Sequence, residues 1–493
     1  MKRMIRGGTV VGYNGESHVL VRGGVVVWEG DQIVYVGREY TEPVEEVIDA
    51  TDKLITPGFI NLHFHAGVRL QFRVTTDHGD PQFFGGGYLN WHAQKRGQIP
   101  QETEEHAEVG AVLSLVELLT GGCTTVMEVG ASGPLLSHLR SQAEALGLRA
   151  YLGPGYRSAT YHRDDRGVLQ FDWDQEAGFR GLEEAVAFVK ANDGAADGRI
   201  RGALFPLQMD TCSLELLEET ARKGQELGVP VQSHVGQNLL EFHEVLRHYG
   251  RTPVELLSET GLLRPGTILG HCIMVSGHPQ AHYPDGKDLE MIAAAGAAVA
   301  HCPISLGRRG MHLHTLSSYI ERGITLGLGT DIYPMDMLRE MRSAALVCKV
   351  ASESPLKGTA REVFDAATLG GARALGRDDL GRLCAGAKAD IVVINQDALH
   401  YGAVWDPIRS LVDCGVAGDV RTVVVDGRVV VEDGKVPGIS HKEFLERARG
   451  LARASAEAYA RVSWDGKMVE EAFPNAYPWV DALPQEYAGD RGI

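Results

Sequence analysis

Two histidines two residues apart, His63 and His65 in the stretch INLHFHAG, are the first residues whose types and spacing can do chemistry. On a β-strand, positions i and i+2 face the same side, so both imidazoles converge on one point. Three more histidines and an aspartate end short apolar runs: His234 in PVQSHV, His271 in TILGHC, His301 in AAVAHC and Asp331 in ITLGLGTD. One buried histidine at a strand end is usually just a hydrogen-bonded polar residue. Four further strands that each end in His or Asp form a set. Imidazoles with one carboxylate make a nitrogen-rich centre suited to zinc, iron, cobalt or manganese. A divalent ion held by neutral imidazoles lowers the pKa of a water towards about 7 and makes it a nucleophile for an electrophilic carbon. Asp331 is placed to accept that water's proton and pass it to the leaving group, and His271 to hold or deprotonate the same water. No serine or cysteine nucleophile is then required. Cys272 and Cys302 directly follow two of these histidines, so on a strand their side chains face away, into the core.

Such positions need elements that bring them together. Over roughly 57–375, short apolar runs alternate with helical patterns: CTTVMEV precedes LLSHLRSQAEALG, RIRGALFPL precedes SLELLEETARKGQELG, and PVQSHV precedes LLEFHEVLRHYG. Strands alternating with helices indicate βα units and a parallel sheet. Six or more units over about 300 residues fit an α/β fold of the (β/α)8 barrel type, whose sites lie at the C-terminal ends of the strands. Residues 1–56 read instead as short alternating strands with Gly and Asp turns, and similar text returns in ADIVVINQD and VRTVVVDGRVVVEDGKV. The Asp426-Gly427 pair between two valine-rich runs is a strong hairpin signal. The expected organisation is a β-sandwich formed by both chain ends, 1–56 and 376–440, around a metal-binding barrel at 57–375. A helical extension, 441–493, follows. The Gly- and aromatic-rich stretch 68–100 reads as an insertion over the first strand's C-terminal end.

The chain has 493 residues, 44% apolar and 23% charged, and a net charge of −17. That composition is an ordinary globular one and excludes disorder, collagen and a small disulfide scaffold. The acidic balance argues against a phosphate-backbone binder. The N-terminus carries no apolar signal region, and no apolar stretch is long enough to span a bilayer. Seven scattered cysteines without a CxxC read as free thiols in a reducing cytoplasm.

Taken in order, TPGFINLHFHAG, the His234 strand, GHC, AHCPIS and GLGTD resemble the metal-dependent amidohydrolase superfamily. Within it they look like the branch of cytosine, guanine and adenosyl-type deaminases with the triazine hydrolases. The resemblance covers nearly the whole chain, including GAKADIVVI after the barrel. It implies a hydrolase of a small molecule, with one divalent metal, zinc foremost, in a homo-oligomer of two or more copies. His63, His65, His234 and Asp331 match the ligands of a single metal. His271 matches a residue that binds either the metal or the activated water, and His301 a substrate-contacting position. No lysine stands at the end of the fourth strand, which speaks against a carbamylated-lysine bridge between two metals.

The sequence also departs from that pattern. Deaminases of this branch carry HxxE after the fifth strand, with a Glu that passes protons to a ring nitrogen. Here the stretch is HVGQN, and Gln237 can exchange hydrogen bonds but cannot transfer a proton. Gln237 is thus a catalytic and substrate-contacting candidate of altered role. Glu241, one turn on, is a substitute shuttle unless it is a solvated helix residue paired with a neighbour, the commoner case. FPLQMDTCS lacks the histidine expected there, and Asp210 is the candidate that could face the pocket. Tyr333 follows Asp331 closely where small residues are common, and Trp91, Tyr88 and Phe83–Phe84 are candidates for a pocket roof. Arg308 and Arg309 could meet an acidic substrate, though surface solvation is the default. The expected activity is hydrolysis of a non-peptide C–N bond in an amide, urea or carbamate. The alternatives are an aminohydrolase or dehalogenating hydrolase of a purine, pyrimidine or triazine ring, and, remotely, a non-catalytic scaffold of the same fold.

Overall fold

The structure is a computed structural model that describes residues 1–67, 103–284, 286–313 and 315–481. Five strands open the chain: β1 Lys2–Tyr13, β2 His18–Glu29, β3 Gln32–Gly37, β4 Glu46–Asp49 and β5 Lys53–Pro57. The parallel elements follow. They are β6 Phe59–Phe64, β7 Cys123–Glu128, β8 Arg149–Leu152, the short β9 Gly155–Tyr156, then β12 Ile200–Gly202, β13 Phe205–Pro206, β14 Val231–Val235, β15 Thr267–His271, β16 Ala298–His301 and β17 Thr325–Leu328. Between β9 and β12 an antiparallel hairpin, β10 Ala159–Arg163 with β11 Leu169–Trp173, projects from this series. The chain then returns to antiparallel strands, β18 Ile391–Asn395, β19 Val420–Val425 and β20 Arg428–Val431.

Two parallel sets form, β12-β8-β7-β6 and β14-β15-β16-β17. Bridges Leu204–Val231 and Gln208–His234 lie where one set ends against the other, and the bridge Phe64–Asp331 lies at the opposite seam. Every residue of β6, β7, β14 and β15 is buried, as strands covered on both faces require. Helices lie between them, and the residue before each often stops the chain cleanly. The side chains of Ser213, Asn238 and Asp336 accept backbone N–H groups of the first turns of helices Leu214–Leu227, Leu239–Tyr249 and Met337–Ala351. The result is the barrel-type α/β arrangement expected from the alternation of patterns. Among the described residues no helix is long and apolar enough to cross a membrane.

Both chain ends meet in one mixed sheet, ordered β20-β19-β18-β5-β1-β2-β3, with β4 beside β1. The join is β5 against β18, with Ile55 opposite Val393. Asp426 and Gly427, both at positive φ, turn β19 into β20, as an Asp-Gly pair in a tight hairpin should. A side chain at Gly427 would also collide with the carbonyl of Gly30. The helix of the C-terminal extension spans His441–Val462 and lies against the helix Glu104–Thr120, to which Arg447 bonds through Glu105 and Glu108. The 68–100 insertion, with Trp91, Tyr88 and Phe83–Phe84, lies outside the described residues.

The tip of the β19–β20 hairpin is buried under the barrel. Arg149, the first residue of β8 and 1% exposed, donates to Asp426 Oδ1 at 3.0 Å and to Asp390 Oδ1 at 3.4 Å. Arg199 reaches Asp426 Oδ2 at 3.4 Å, and Asp426 N–H donates to Asp390 Oδ1 at 2.8 Å. Trp28 Nε1 donates to the carbonyl of Gly427 at 3.1 Å. Burial opposes ionisation of Asp426, yet Arg149, Lys388 and Arg199 hold its carboxyl below the usual value. Removing one partner of such a cluster strands the others in a dry setting, at about 3–5 kcal/mol. Asp426→Ala is therefore expected to lower the thermal midpoint, followed by circular dichroism, by several degrees. Asp433→Ala, which removes an 83% exposed partner of Arg421, is expected to leave it almost unchanged.

Candidate metal centre

Five side chains converge at the C-terminal ends of four strands. His63 lies in β6 and His65 just beyond it, with ring centroids 5.1 Å apart. His234 from β14 and His271 from β15 bring their rings within 4.9 and 4.7 Å of His63. Asp331 follows β17, bound to the first strand by its N–H to the carbonyl of His63 at 2.9 Å and by His65 N–H to its own carbonyl at 2.6 Å. Its Oδ1 stands 3.6 Å from His63 Nε2 and 3.5 Å from His65 Nε2. Two groups of donor atoms result, each within 4.8 Å: His63, His234 and His271, and His63, His65 and Asp331. His63 belongs to both.

Room for this cluster comes from glycines. A Cβ at Gly270 would stand 3.1 Å from His63 Cε1, and one at Gly329 would stand 2.7 Å from His63 Cβ. The backbone turns sharply at the same level: His271, Cys272 and Asp331 all have positive φ, at 69, 48 and 60°. Such conformations in non-glycine residues gather at functional sites, where the surrounding fold holds them.

Hydrogen bonds at the outer nitrogens set which lone pairs face inward. His63 Nδ1 donates to Gln232 Oε1 at 2.6 Å, and Gln232 Nε2 in turn donates to the carbonyl of Leu62 at 2.9 Å. His234 Nδ1 donates to the carbonyl of Leu207 at 2.6 Å. With both Nδ1 positions protonated, the Nε2 atoms carry lone pairs. His234 Nε2 lies 3.1 Å from His65 Nε2, and His63 Nε2 is buried without a hydrogen-bond partner. Burial lowers His234 to about 4 and pushes His271 well below its ordinary value. Both imidazoles are neutral at pH 7, the form that binds a metal. Burial works against the Asp331 carboxylate, yet His63, His271 and His65 hold it well below the usual range. Converging lone pairs, neutral imidazoles and one carboxylate fit a divalent cation, and locked outer nitrogens are what metal-binding histidines use.

The other candidates lie around this centre. His301 ends β16 and is 2% exposed; Nδ1 has no hydrogen-bond partner, and burial lowers the ring to about 3. It belongs to neither donor group. Gln237 is buried; its N–H donates to Glu241 Oε2 at 2.8 Å and its Nε2 lacks a partner. Asp210 is buried with Oδ1 unpartnered. Tyr333 is half-buried, with the Arg308 guanidinium 4.5 Å above its ring and donating to its carbonyl at 2.8 Å. Trp91 lies outside the described residues.

Two default readings need correction. Glu241 is not a solvated helix residue: it is 0% exposed and its carboxylate accepts the N–H groups of both Gly236 and Gln237 at 2.8 Å. In the first turn of its helix it faces inward and fastens the loop after β14. Arg308 is not simply solvated either, since Tyr333 covers it. Cys272 and Cys302, each one residue past its strand, are buried core thiols, and all seven cysteines are free. Sequence reasoning missed Gln232, which locks His63, and gave no role to Ser305, whose hydroxyl donates to Asp331 Oδ2. A signal existed for Gln232: it stands two positions before His234, on the same face of a fully buried strand.

Comparison with known proteins agrees with this geometry. The profile of the amidohydrolase family matches residues 54–430. A 5'-deoxyadenosine deaminase of Methanosarcina barkeri is 30% identical over 447 residues, 90% of this chain and 95% of its own. A 5-methylthioadenosine/S-adenosylhomocysteine deaminase of Thermococcus kodakarensis is 32% identical over 438 residues, 87% of this chain and 94% of its own. Among solved structures, an adenosine deaminase from Xanthomonas campestris with bound zinc aligns with a TM-score of 0.79 at 21% identity, over 92% of this chain and 98% of that one. A triazine hydrolase from Arthrobacter aurescens aligns at 0.78 and 24% identity, over 92% and 99%.

Beside the centre, burial pushes the Asp210 carboxyl from 3.8 up to about 7, with the charge of Glu244 adding to the effect. The folded protein thus keeps a proton that the unfolded chain releases. The stability from that proton is full below about pH 4 and is lost as pH rises towards 7. Asp210→Asn is expected to flatten this part of the stability–pH curve, read by denaturant unfolding at pH 4, 5.5 and 8. An unchanged slope in the variant would assign the titration to another group.

Proposed function

The chain belongs to the amidohydrolase family and is a metal-binding hydrolase of carbon–nitrogen bonds other than peptide bonds; on that premise we propose that it holds one zinc ion through His63, His65, His234 and Asp331 and cleaves an amide, urea or carbamate group of a small molecule. The observation that supports the reading most is the inward convergence of the His63, His65 and His234 Nε2 atoms with Asp331 Oδ1, beside a position 237 that cannot transfer protons. When bound there, the ion supplies Lewis-acid activation of a water. His271, with an unpartnered Nδ1, holds or deprotonates that water. Asp331 takes the proton and delivers it to the leaving nitrogen. Gln237 assists by hydrogen bonding alone. His301 Nδ1, Gln237 Nε2 and Asp210 Oδ1 are buried polar atoms that need partners, and substrate heteroatoms supply them. Tyr333 closes the same side.

A second reading, removal of an amino group from a heteroaromatic ring, is favoured by the deaminase relatives. It asks for a proton shuttle that Gln237 cannot be and that Glu241, committed to two backbone N–H groups, does not offer. A dehalogenating attack on a ring, which a neighbouring atrazine chlorohydrolase structure suggests, would release halide from a halogenated triazine instead of an amine.

The reading further takes the eight parallel strands as a closed (β/α)8 barrel over 57–375. The terminal sheet, from 1–56 and 376–440, is a folded sandwich, and 441–493 is a separate extension. Free thiols throughout favour a reducing cytoplasm, and the enzyme works there as a homo-oligomer.

His234→Ala and Asp331→Ala are each expected to cut turnover by roughly a thousandfold or more while circular dichroism stays unchanged. Chelator treatment of the wild type is expected to abolish activity and zinc to restore it. Screened against amides, ureas, carbamates and aminopurines, the enzyme is expected to release substituted amines. Ammonia from a ring substrate as the only amine product would sink the acyl-type reading in favour of deamination.

A further inference from the structure

We infer that Glu340 is a positioning residue for the carboxylate of Asp331, acting through the turn that carries Ser305. The inference rests on the metal reading above. Asp331 divides its two oxygens: Oδ1 faces His63 and His65, and Oδ2 accepts the hydroxyl of Ser305. The last torsion of an aspartate is soft, so a carboxylate held at one oxygen only can swing out of plane. Ser305 is 2% exposed and supplies the second fixed contact.

Ser305 itself lies on a short helix, Pro303–Gly307. The first N–H groups of any helix lack an internal partner. Pro303 has none to offer, and the N–H of Ile304 donates to Glu340 Oε2 at 3.1 Å. Glu340 belongs to the helix Met337–Ala351 and is 0% exposed, with Oε1 unpartnered. It does not cap its own helix, because Asp336 does that. It is not a favourable ion pair, because Asp331 and Asp336 face it as well as Arg308. Burying a carboxyl costs free energy, and what this one secures is the single residue between Pro303 and the serine that orients Asp331.

The test needs no substrate. Metal-free protein is titrated with zinc against a chromophoric chelator for the wild type, Ser305→Ala, Glu340→Ala, Glu340→Gln and the double variant Ser305→Ala/Glu340→Ala. Each single alanine variant is expected to weaken zinc binding by about 10–100-fold. The double variant should fall within about twofold of the weaker single, because both changes break one chain of contacts. Glu340→Gln keeps an acceptor for Ile304 and should stay within about twofold of the wild type. Should Glu340→Ala fail to fold, Glu340→Met, similar in volume and without the acceptor, takes its place. Wild-type zinc affinity in Glu340→Ala, a double variant that loses the product of the two single effects, or Glu340→Gln as weak as alanine each overturns the inference. A wild type that takes up no zinc overturns the metal reading and this inference together; strong wild-type binding with unaffected variants overturns this inference alone.

Discussion

Four imidazoles and a carboxylate crowded into a dry place are the constraint around which this molecule is built. His65 and His234 bring two Nε2 atoms to 3.1 Å, and Asp331 Oδ1 stands within 3.6 Å of two imidazoles. Polar groups so close must share few protons among them, and burial removes the water that would otherwise solvate them. Only a fold that fixes every outer contact keeps such a cluster assembled. Gln232 and the Leu207 carbonyl fix the tautomers, positive φ at His271 and Asp331 bends the strand ends inward, and Gly270 and Gly329 yield the space. A cation bound there would meet imidazole nitrogens and one carboxylate already held in place.

The residues that converge at the candidate centre were legible in the sequence because strand geometry is simple. A period of two aligns His63 with His65, and an apolar run that ends in His or Asp puts that residue at a barrel rim. Which residues the supporting groups meet was not legible, even where position marked a group as Gln232 was marked, because each contact joins residues far apart in the chain. Gln232 meets His63 across 169 positions, and Ile304 meets Glu340 across 36. Glu241 was misleading for a different reason. Its sequence neighbours suit a solvated helix face, but the first turn of that helix points into the loop it fastens. Arg308 likewise depends on where Tyr333 comes to lie.

The terminal sheet serves the barrel from the opposite end. Arg149 begins β8 and Arg199 directly precedes β12, and their charges are met by Asp390 and Asp426 from the second half of the sheet. The chemistry at one rim and the ion cluster at the other use the same device, a carboxylate held by groups from several elements. At the rim the device leaves one oxygen for a ligand. At the base Asp426 spends both oxygens on cations, which makes it structural.

The pairing of β5 with β18 also sets an order in time. Residues 53–57 cannot find residues 391–395 until the ribosome has made the whole barrel between them. At 5–20 residues per second that interval is roughly 20 to 70 s. Throughout it the nascent chain carries β5 with one edge lacking its final neighbour, an apolar template open to other strands. Birth of this protein is thus a period of exposure that ends only when about four-fifths of the message has been translated, and a chaperone that shields Leu54 and Ile55 would have most to do in that window.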